Sequence, residues 1–598
     1  MSGIFGILNR NGRPVERNDL GRMSDVLAHR GPDQQGSWCS GPVGLGHRML
    51  WTTPESLHER LPYGSGTAGL TITADARIDN RDGLLPLLGL SNSPAEVISD
   101  SQVILAAYER WGERCLEHLL GDFAFAIWDE RSRKLFCARD HFGVKPFYYF
   151  VSDKLFVFAS EIKALFCVPG VPRRIDEVKV ADYLQGIQED VCRTFFAGIL
   201  AAPVGQSLGV SQNDLQHRSY WSPDPQRELR LKSDGEYAEA MKSVFEEATR
   251  CRLRSAFPVG AMLSGGLDSS SIACTARDIL SREARPKLHT FSAIFPSLPP
   301  QELAAIDERP WINAVIEMGG IDPHFVSPDL HSPMAALSET LRQHDQPTHP
   351  NNAIFRGLFQ AAQQQEVRTV LEGTDGDSIV SYGLLYPKEL ARQGRWPTLF
   401  REVSALARRY GASPRREVWS YVKDYGLKPL VPQELLRLRH ERHAKRAKRH
   451  LASRISPVVA PGFAKRANLE ERLEAFQLPE MDSFDTDRLY HAFRITNPNL
   501  GVVLDIFGRI AAEFGCEARF PFMDIRLAEL CLSLPASLKL SGGWTRIGMR
   551  RAMEGTLPEK VQWRVPKSNL GASYEVGMLR YEQKVLDQFI SEGCQKID

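Results

Sequence analysis

Apolar and polar positions alternate over short stretches in the first third of the chain and give way to longer mixed runs after it. Leu70-Thr71-Ile72-Thr73 and Leu135-Phe136-Cys137-Ala138 read as short β segments, with Gly, Asp and Asn between such segments. Phe123-Ala124-Phe125-Ala126-Ile127-Trp128 is apolar at nearly every position, which suits a strand covered on both faces. These segments predict a β-rich layered domain. Around Tyr220-Trp221-Ser222-Pro223-Asp224-Pro225 the chain turns polar and Pro-punctuated, and after Asp234 it becomes strongly helical, so a boundary is expected near residues 222 to 235. Beyond it an apolar stretch, Val259 to Leu263, leads through Ser264-Gly265-Gly266 into an expected helix from Ser269 to Ile279. Further strands are expected at Leu288 to Phe295 and Val367 to Leu371. Strand, glycine turn and helix in that order predict an α/β unit with an open parallel sheet, whose ligands sit at the carboxyl ends of the strands. Residues 385–475 read as a helical region dense in Arg and Lys, including Arg437 to Arg449.

Length and charge narrow the picture without naming a function. At 598 residues the chain exceeds what one hydrophobic core supports, which predicts two domains, 1–222 and 235–598. A formal net charge of +1 gives no global pull toward nucleic acid or an anionic membrane. The basic stretch has no interleaved aromatics and is poor evidence for nucleic-acid binding; it reads first as a solvated helical face and second as a docking surface for a peptide or partner. Ten scattered cysteines form no CxxC pair, and no histidine spacing suggests zinc, so reduced thiols are expected. No signal peptide and no membrane-length apolar run is apparent, which makes a cytoplasmic protein the expectation.

The chemistry concentrates in Leu263-Ser264-Gly265-Gly266-Leu267-Asp268-Ser269-Ser270. Small residues after a strand let a polyanion approach backbone, and the following helix offers unpaired N–H groups and a positive dipole end to phosphate. The glycines permit torsions barred to other residues, the serines supply hydroxyls, and Asp268 is placed to hold Mg2+ against phosphate oxygens. The string lacks the lysine of the loop used for terminal phosphoryl transfer.

It resembles instead the pyrophosphatase loop of the asparagine synthetase family. Further motifs match in order: Thr290-Phe291-Ser292, Asp307-Glu308, Asp345-Gln346-Pro347, Glu372-Gly373-Thr374-Asp375-Gly376-Asp377, Arg519 to Arg526, and Trp563-Arg564-Val565-Pro566-Lys567. Amino-terminal motifs match that family's glutamine amidotransferase domain: His29 to Asp33, Gly46-His47-Arg48, Gly121 to Asp129 and Ala138-Arg139-Asp140. The resemblance implies an Ntn-type layered α+β domain followed by an ATP-pyrophosphatase domain of the adenine nucleotide alpha hydrolase type. It implies ATP and Mg2+ as cofactors, with Leu263, Ser264, Gly265, Gly266, Asp268, Ser269, Ser270, Ser292 and Gly373 at the nucleotide. Asp268 and Asp377 would share the metal, and Lys567 would neutralise charge at the reacting phosphorus and carbon.

The chain also departs from that family. Where its glutaminases carry a nucleophilic cysteine this sequence has Ser2, and their Asn-Gly-Glu triplet becomes Asp75-Ala76-Arg77. A serine hydroxyl ionises far less than a thiol, Asp75 would repel an oxyanion, and Arg77 reverses the charge that should meet the substrate ammonium. Asp100 keeps the second amine-binding carboxylate, but an inactive glutaminase site is expected. In the synthetase loop the acid that would handle ammonia is Thr374, which implies a different amine. The pattern is most similar to lasso-peptide macrolactam synthetases, which adenylate an Asp or Glu side chain of a core peptide and close a ring with the peptide's own amino terminus. Expected partners are then a linear precursor peptide, a leader-peptide protease and a leader-recognition protein in a bacterial cytoplasm, with no nucleic acid and no membrane. A glutamine-independent small-molecule ligase, such as an asparagine or β-lactam synthetase, is the alternative reading. A noncatalytic ATP-fold protein is the third.

Overall fold

The computed structural model describes the chain except residues 67, 92–93, 188–189, 191, 329–331, 348–351, 428–454, 477–480, 566–570 and 593–598, and the side chains at 336, 340, 342, 352, 353, 482, 498, 572, 589 and 592. Its first twelve strands are β1 (Gly3–Asn9), β2 (Gln34–Ser40), β3 (Val43–Met49), β4 (Tyr63–Ser65), β5 (Leu70–Ile78), β6 (Gly121–Asp129), β7 (Lys134–Arg139), β8 (Tyr148–Val151), β9 (Leu155–Ala159), β10 (Ile199–Ala201), β11 (Gln206–Val210) and β12 (Leu215–Ser219). They form two antiparallel sheets in the orders β10-β8-β9-β1-β3-β2 and β12-β11-β7-β6-β5-β4.

The near-continuous apolar run in β6 now has a geometric reason. Ala124, Ala126 and Trp128 face the opposite sheet, where Ile4, Leu45 and Phe158 meet them. Phe123, Phe125 and Ile127 face outward onto the helix Asp100–Trp111, packing with Val103, Ile104 and Ala107. Because successive side chains of a strand point to opposite faces, a strand sandwiched between a sheet and a helix is apolar at every position. The helix Arg17–Val26 covers the outer face of the other sheet through Leu20 and Met23. Helix, sheet, sheet and helix thus stack in four layers.

The second half is built on a five-stranded sheet, β15-β14-β13-β16-β17, every neighbouring pair of which is parallel. Its strands are β13 (Val259–Met262), β14 (Leu288–Ala293), β15 (Ile321–Val326), β16 (Thr369–Leu371) and β17 (Glu517–Arg519). β14 stops two residues before the expected Phe295, and β16 starts two after Val367. The helix after β13 spans Leu267–Arg282, so it begins before Ser269 and places Asp268 and Ser269 in its first turn. One hydrophobic core joins the sheet to this helix through Ala261, Ile272, Phe291 and Val370.

Buried ion pairs lock the two halves together. Lys145 Nζ lies 2.6 Å from Glu517, the Tyr148 hydroxyl donates to Asp505 at 2.6 Å, and Arg252 reaches Asp524 at 2.9 Å while lying 3.5 Å from Asp79. In the basic helical region, helices Tyr386–Arg392 and Trp396–Arg409 form their own small core around Leu390, Leu399 and Val403. Farther on, Phe463 and Leu469 pack on Ala181 of the amino-terminal half, where Arg472 pairs with Asp182 at 2.6 Å. Arg437 to Arg449 lie outside the described residues. The described cysteines are free. Among the described residues no helix is long and apolar enough to cross a membrane.

Candidate active site

The loop after β13 is shaped by contacts that leave little choice of residue. Gly265 has φ +66°, and a Cβ there would lie 2.7 Å from Trp311 Cβ and 2.9 Å from the Ile312 nitrogen. A side chain would be strained and would also clash, so glycine is required. Gly266 caps the helix Leu267–Arg282 in extended backbone with no side chain on the leading N–H groups, which remain available to an anion. The hydroxyls of Ser264 and Ser269 lie 3.0 Å apart, and Ser269 Oγ also accepts the Ser264 N–H at 3.2 Å. The Ser270 hydroxyl is buried with no hydrogen-bond partner among the described residues. Ser292 is spent on the fold: its hydroxyl donates to the Leu263 carbonyl at 2.7 Å and ties β14 to the loop.

The second glycine-acid loop, after β16, packs directly against the first. A Cβ on Gly373 would lie 3.0 Å from the Ser269 nitrogen, and one on Gly376 would lie 3.1 Å from Asp268 Cγ and 2.8 Å from the Phe522 ring. This close approach brings Asp268 and Asp377 to the wall of one cleft of about 440 Å³, together with Ser264, Ser269 and Gly373. Both Asp268 oxygens lie 2.8 Å from Arg546 Nη1. Asp377 accepts the Tyr382 hydroxyl at 2.6 Å, and the Arg546 guanidinium lies 5.1 Å from the Tyr382 ring centre. Burial and then Asp377 push the Tyr382 hydroxyl well above its ordinary range. Burial opposes the charge on Arg546, but Asp268, Tyr382 and Asp377 outweigh it and raise its pKa.

A protein cation therefore already sits against this cluster, and the oxygen donors suit a hard divalent ion. Asp268 and Asp377 offer the carboxylate oxygens that Mg2+ takes and would be the residues to hold it. Bound there, it would neutralise charge on phosphate oxygens.

Three groups escaped the sequence reading. Arg546 lies 278 positions from Asp268, and nothing in its neighbourhood flagged it. In the sequence Arg564 is only one letter of a motif; its Nη2 donates to Glu308 at 2.9 Å and its guanidinium lies 4.0 Å from the centre of the Trp311 ring. The Arg564 carbonyl accepts from the buried Arg550 at 3.1 Å, which fixes this segment on the cleft wall. Glu372 is buried on the cleft and accepts the Thr374 N–H at 2.7 Å and the Thr374 hydroxyl. Burial raises its carboxyl pKa against these two hydrogen bonds. Lys567 lies outside the described residues. Of the remaining motifs, Asp345 and Gln346 face the amino-terminal half, accepting the Lys163 N–H at 3.0 Å and donating to the Tyr148 hydroxyl at 3.1 Å.

Ser2 lines a second cavity, of only about 20 Å³, with Asp75, Ala76, Asp100 and Glu517. The Ser2 hydroxyl accepts the Leu50 N–H at 3.0 Å and donates to Met49 Sδ at 3.7 Å, and neither of these partners is a base. Asp75 is held by Lys145 at 2.9 Å, and Asp100 accepts the Ile78 N–H at 3.1 Å and pairs with Arg254. The Met1 amine donates to the Cys516 carbonyl at 3.0 Å, and burial lowers its pKa to about 5. Arg77 corrects the sequence reading. It is not among the residues lining this cavity and does not confront a substrate ammonium; its guanidinium is buried in pairs with Asp79 and Asp122, each at 2.8 Å.

The chain resembles known proteins along most of its length. Residues 1–221 match the glutamine amidotransferase domain family, and residues 240–596 match the asparagine synthase family. Asparagine synthetase [glutamine-hydrolyzing] 3 of Bacillus subtilis is 27% identical over 94% of this chain and 86% of its own length. A putative asparagine synthetase of Methanocaldococcus jannaschii is 30% identical over 53% of this chain and 63% of its own. Amidase chry2 of Gibberella zeae is 25% identical over 89% and 81%. Among solved structures, the allosteric regulatory enzyme of purine biosynthesis covers 60% of this chain and 91% of its own at 14% identity, with a TM-score of 0.30.

Proposed function

The chain belongs to the asparagine synthase family of ATP-dependent carbon–nitrogen ligases, and from that premise we propose that it closes a macrolactam, joining an Asp or Glu side chain of a linear peptide to the peptide's own amino-terminal amine. The observation that carries this reading is the contrast between its two cavities: about 440 Å³ at Asp268 and about 20 Å³ at Ser2. The smaller one holds roughly a single water, with Asp75 paired to Lys145 and, among the described residues, no base hydrogen-bonded to Ser2. Glutamine is not its substrate, and the amine arrives with the acid.

In this mechanism a substrate carboxylate oxygen attacks the α-phosphorus of ATP and pyrophosphate leaves. The N-terminus of Leu267–Arg282, Arg546 and Arg564 stabilise the charge that develops. Lys567 enters the same role on its motif alone. The amine then attacks the acyl carbonyl, an amide bond forms and AMP departs. Glu372 takes the amine proton, because its burial moves its affinity for protons toward that of the group it must serve. Carrying both ends on one chain makes this second step intramolecular. A leader-peptide protease and a leader-recognition protein are the partners this substrate calls for.

The test is a mass measurement. With ATP, Mg2+ and a synthetic peptide bearing a free amino-terminal Gly and an internal Asp or Glu, the product should be lighter by one water, with AMP and pyrophosphate formed in equal amounts. A second reading, amidation of a small free acid, is favoured by the names of the relatives; turnover only with free aspartate and ammonia would establish it instead.

A further inference from the structure

We propose that His289, Asp322 and His324 form a binding site for one transition-metal ion of the zinc class, built on the edge of the parallel sheet and separate from the nucleotide cleft. β14 and β15 run parallel with His289 opposite Asp322 and Phe291 opposite His324. Side chains two apart share a face, so this register sets His289, Asp322 and His324 together on one side of the sheet. Their donor atoms converge: His289 Nδ1 lies 3.0 Å from His324 Nε2, and one Asp322 oxygen lies 3.6 Å from the first and 3.9 Å from the second.

A hydrogen bond between neutral imidazoles accounts for the 3.0 Å contact alone. A shared ion accounts for that contact and for the Asp322 carboxylate near both nitrogens at 3.6 and 3.9 Å together. Zinc bonds of about 2.0–2.2 Å to nitrogen and oxygen put any two donors within roughly 4.4 Å of each other, and all three pairs here comply.

The chemistry of the set selects the ion. Two imidazoles and one carboxylate suit Zn2+, Ni2+ or Cu2+ and disfavour Mg2+ or Ca2+, which take oxygen. His324 is stacked on Phe291, ring centres 5.1 Å apart and planes within 19°, so its orientation is fixed by packing. Pro323 stiffens the strand between the two β15 ligands and leaves no donor for the sheet at a position where an edge strand tolerates its loss. Asp322 is half exposed, so the remaining coordination positions open to solvent. Phe291 also lines the nucleotide cleft, which makes the ion a brace behind that wall.

The experiment titrates metal-stripped protein with Zn2+ against a chromophoric chelator in excess Mg2+, with thermal melting as a second readout. Wild type is expected to take up one equivalent with a rise in Tm. His289→Asn and His324→Asn should each weaken uptake about 10-fold or more and abolish the Tm rise. Asp322→Asn, an exposed change that leaves the fold intact, should weaken it to a lesser degree, and Asp268→Asn should retain it. Equal uptake by wild type and the double variant His289→Asn/His324→Asn, or no uptake by wild type below millimolar Zn2+, would overturn the site.

Discussion

Asp268 is the side chain on which the proposed chemistry most depends. It stands in the first turn of the helix Leu267–Arg282, both its oxygens face Arg546, and Gly376 has no side chain because Asp268 Cγ occupies that space. Asp268→Asn should lower turnover by about 10²-fold or more, because it removes charge at the phosphates, and should lower the melting temperature as well, because it leaves the buried Arg546 guanidinium without its carboxylate. Ser2→Ala should leave turnover unchanged; loss of glutamine-independent turnover in that variant would contradict the role assigned to the cleft. Glu372→Gln separates the two half-reactions. Pyrophosphate exchange into ATP should persist and ring closure should fall about 10²-fold, since only the second step needs the proton acceptor. A second residue-scale expectation concerns pH. Burial lowers the pKa of His47 and His141, each to about 4 from the ordinary 6.5. A depressed pKa gives stability that is present above 6.5 and lost as pH falls toward 4, because the unfolded state takes up the proton first. Each histidine then contributes about 2 kcal/mol of destabilisation between pH 7 and pH 5. Thermal melts at the two pH values should show it, and His47→Gln should flatten the dependence.

At the scale of elements, the two glycine loops work as a pair. Gly373→Ala would press a methyl group 3.0 Å from the Ser269 nitrogen and force the loops apart. ATP binding and turnover should fall together while far-ultraviolet circular dichroism stays that of wild type. Both loops were readable in the sequence because each is a local string: a strand, small residues, then an acid. The helix starting at Leu267 was misplaced by two residues because the cap is Gly266, which carries no side-chain capping signal. The β6 run was readable as core from its composition, but the direction of each side chain needed the second sheet and the helix Asp100–Trp111. What the sequence hid are contacts between distant elements. Arg546 meets Asp268, Arg77 turns away from Ser2 toward Asp79 and Asp122, and His289 meets Asp322 and His324 through strand register. No periodicity or spacing within one element encodes such meetings.

For the molecule as a whole, the amino-terminal half keeps a glutaminase scaffold whose small cavity is bridged to the synthetase half. Lys145 touches both Asp75 and Glu517, and the Met1 amine donates to the Cys516 carbonyl. These contacts tie the half to β17 and the sheet beside the cleft. In the proposed reaction this cleft activates a side-chain carboxylate by splitting ATP at its inner phosphate for capture by an amine on the same chain. A linear peptide labelled with ¹⁸O in its Asp or Glu side-chain carboxylate tests it most directly, because an adenylated acid leaves one of its oxygens on AMP. The expected result is AMP carrying one ¹⁸O beside a cyclic product one water lighter. Unlabelled AMP, or ¹⁸O recovered in inorganic phosphate, would contradict it.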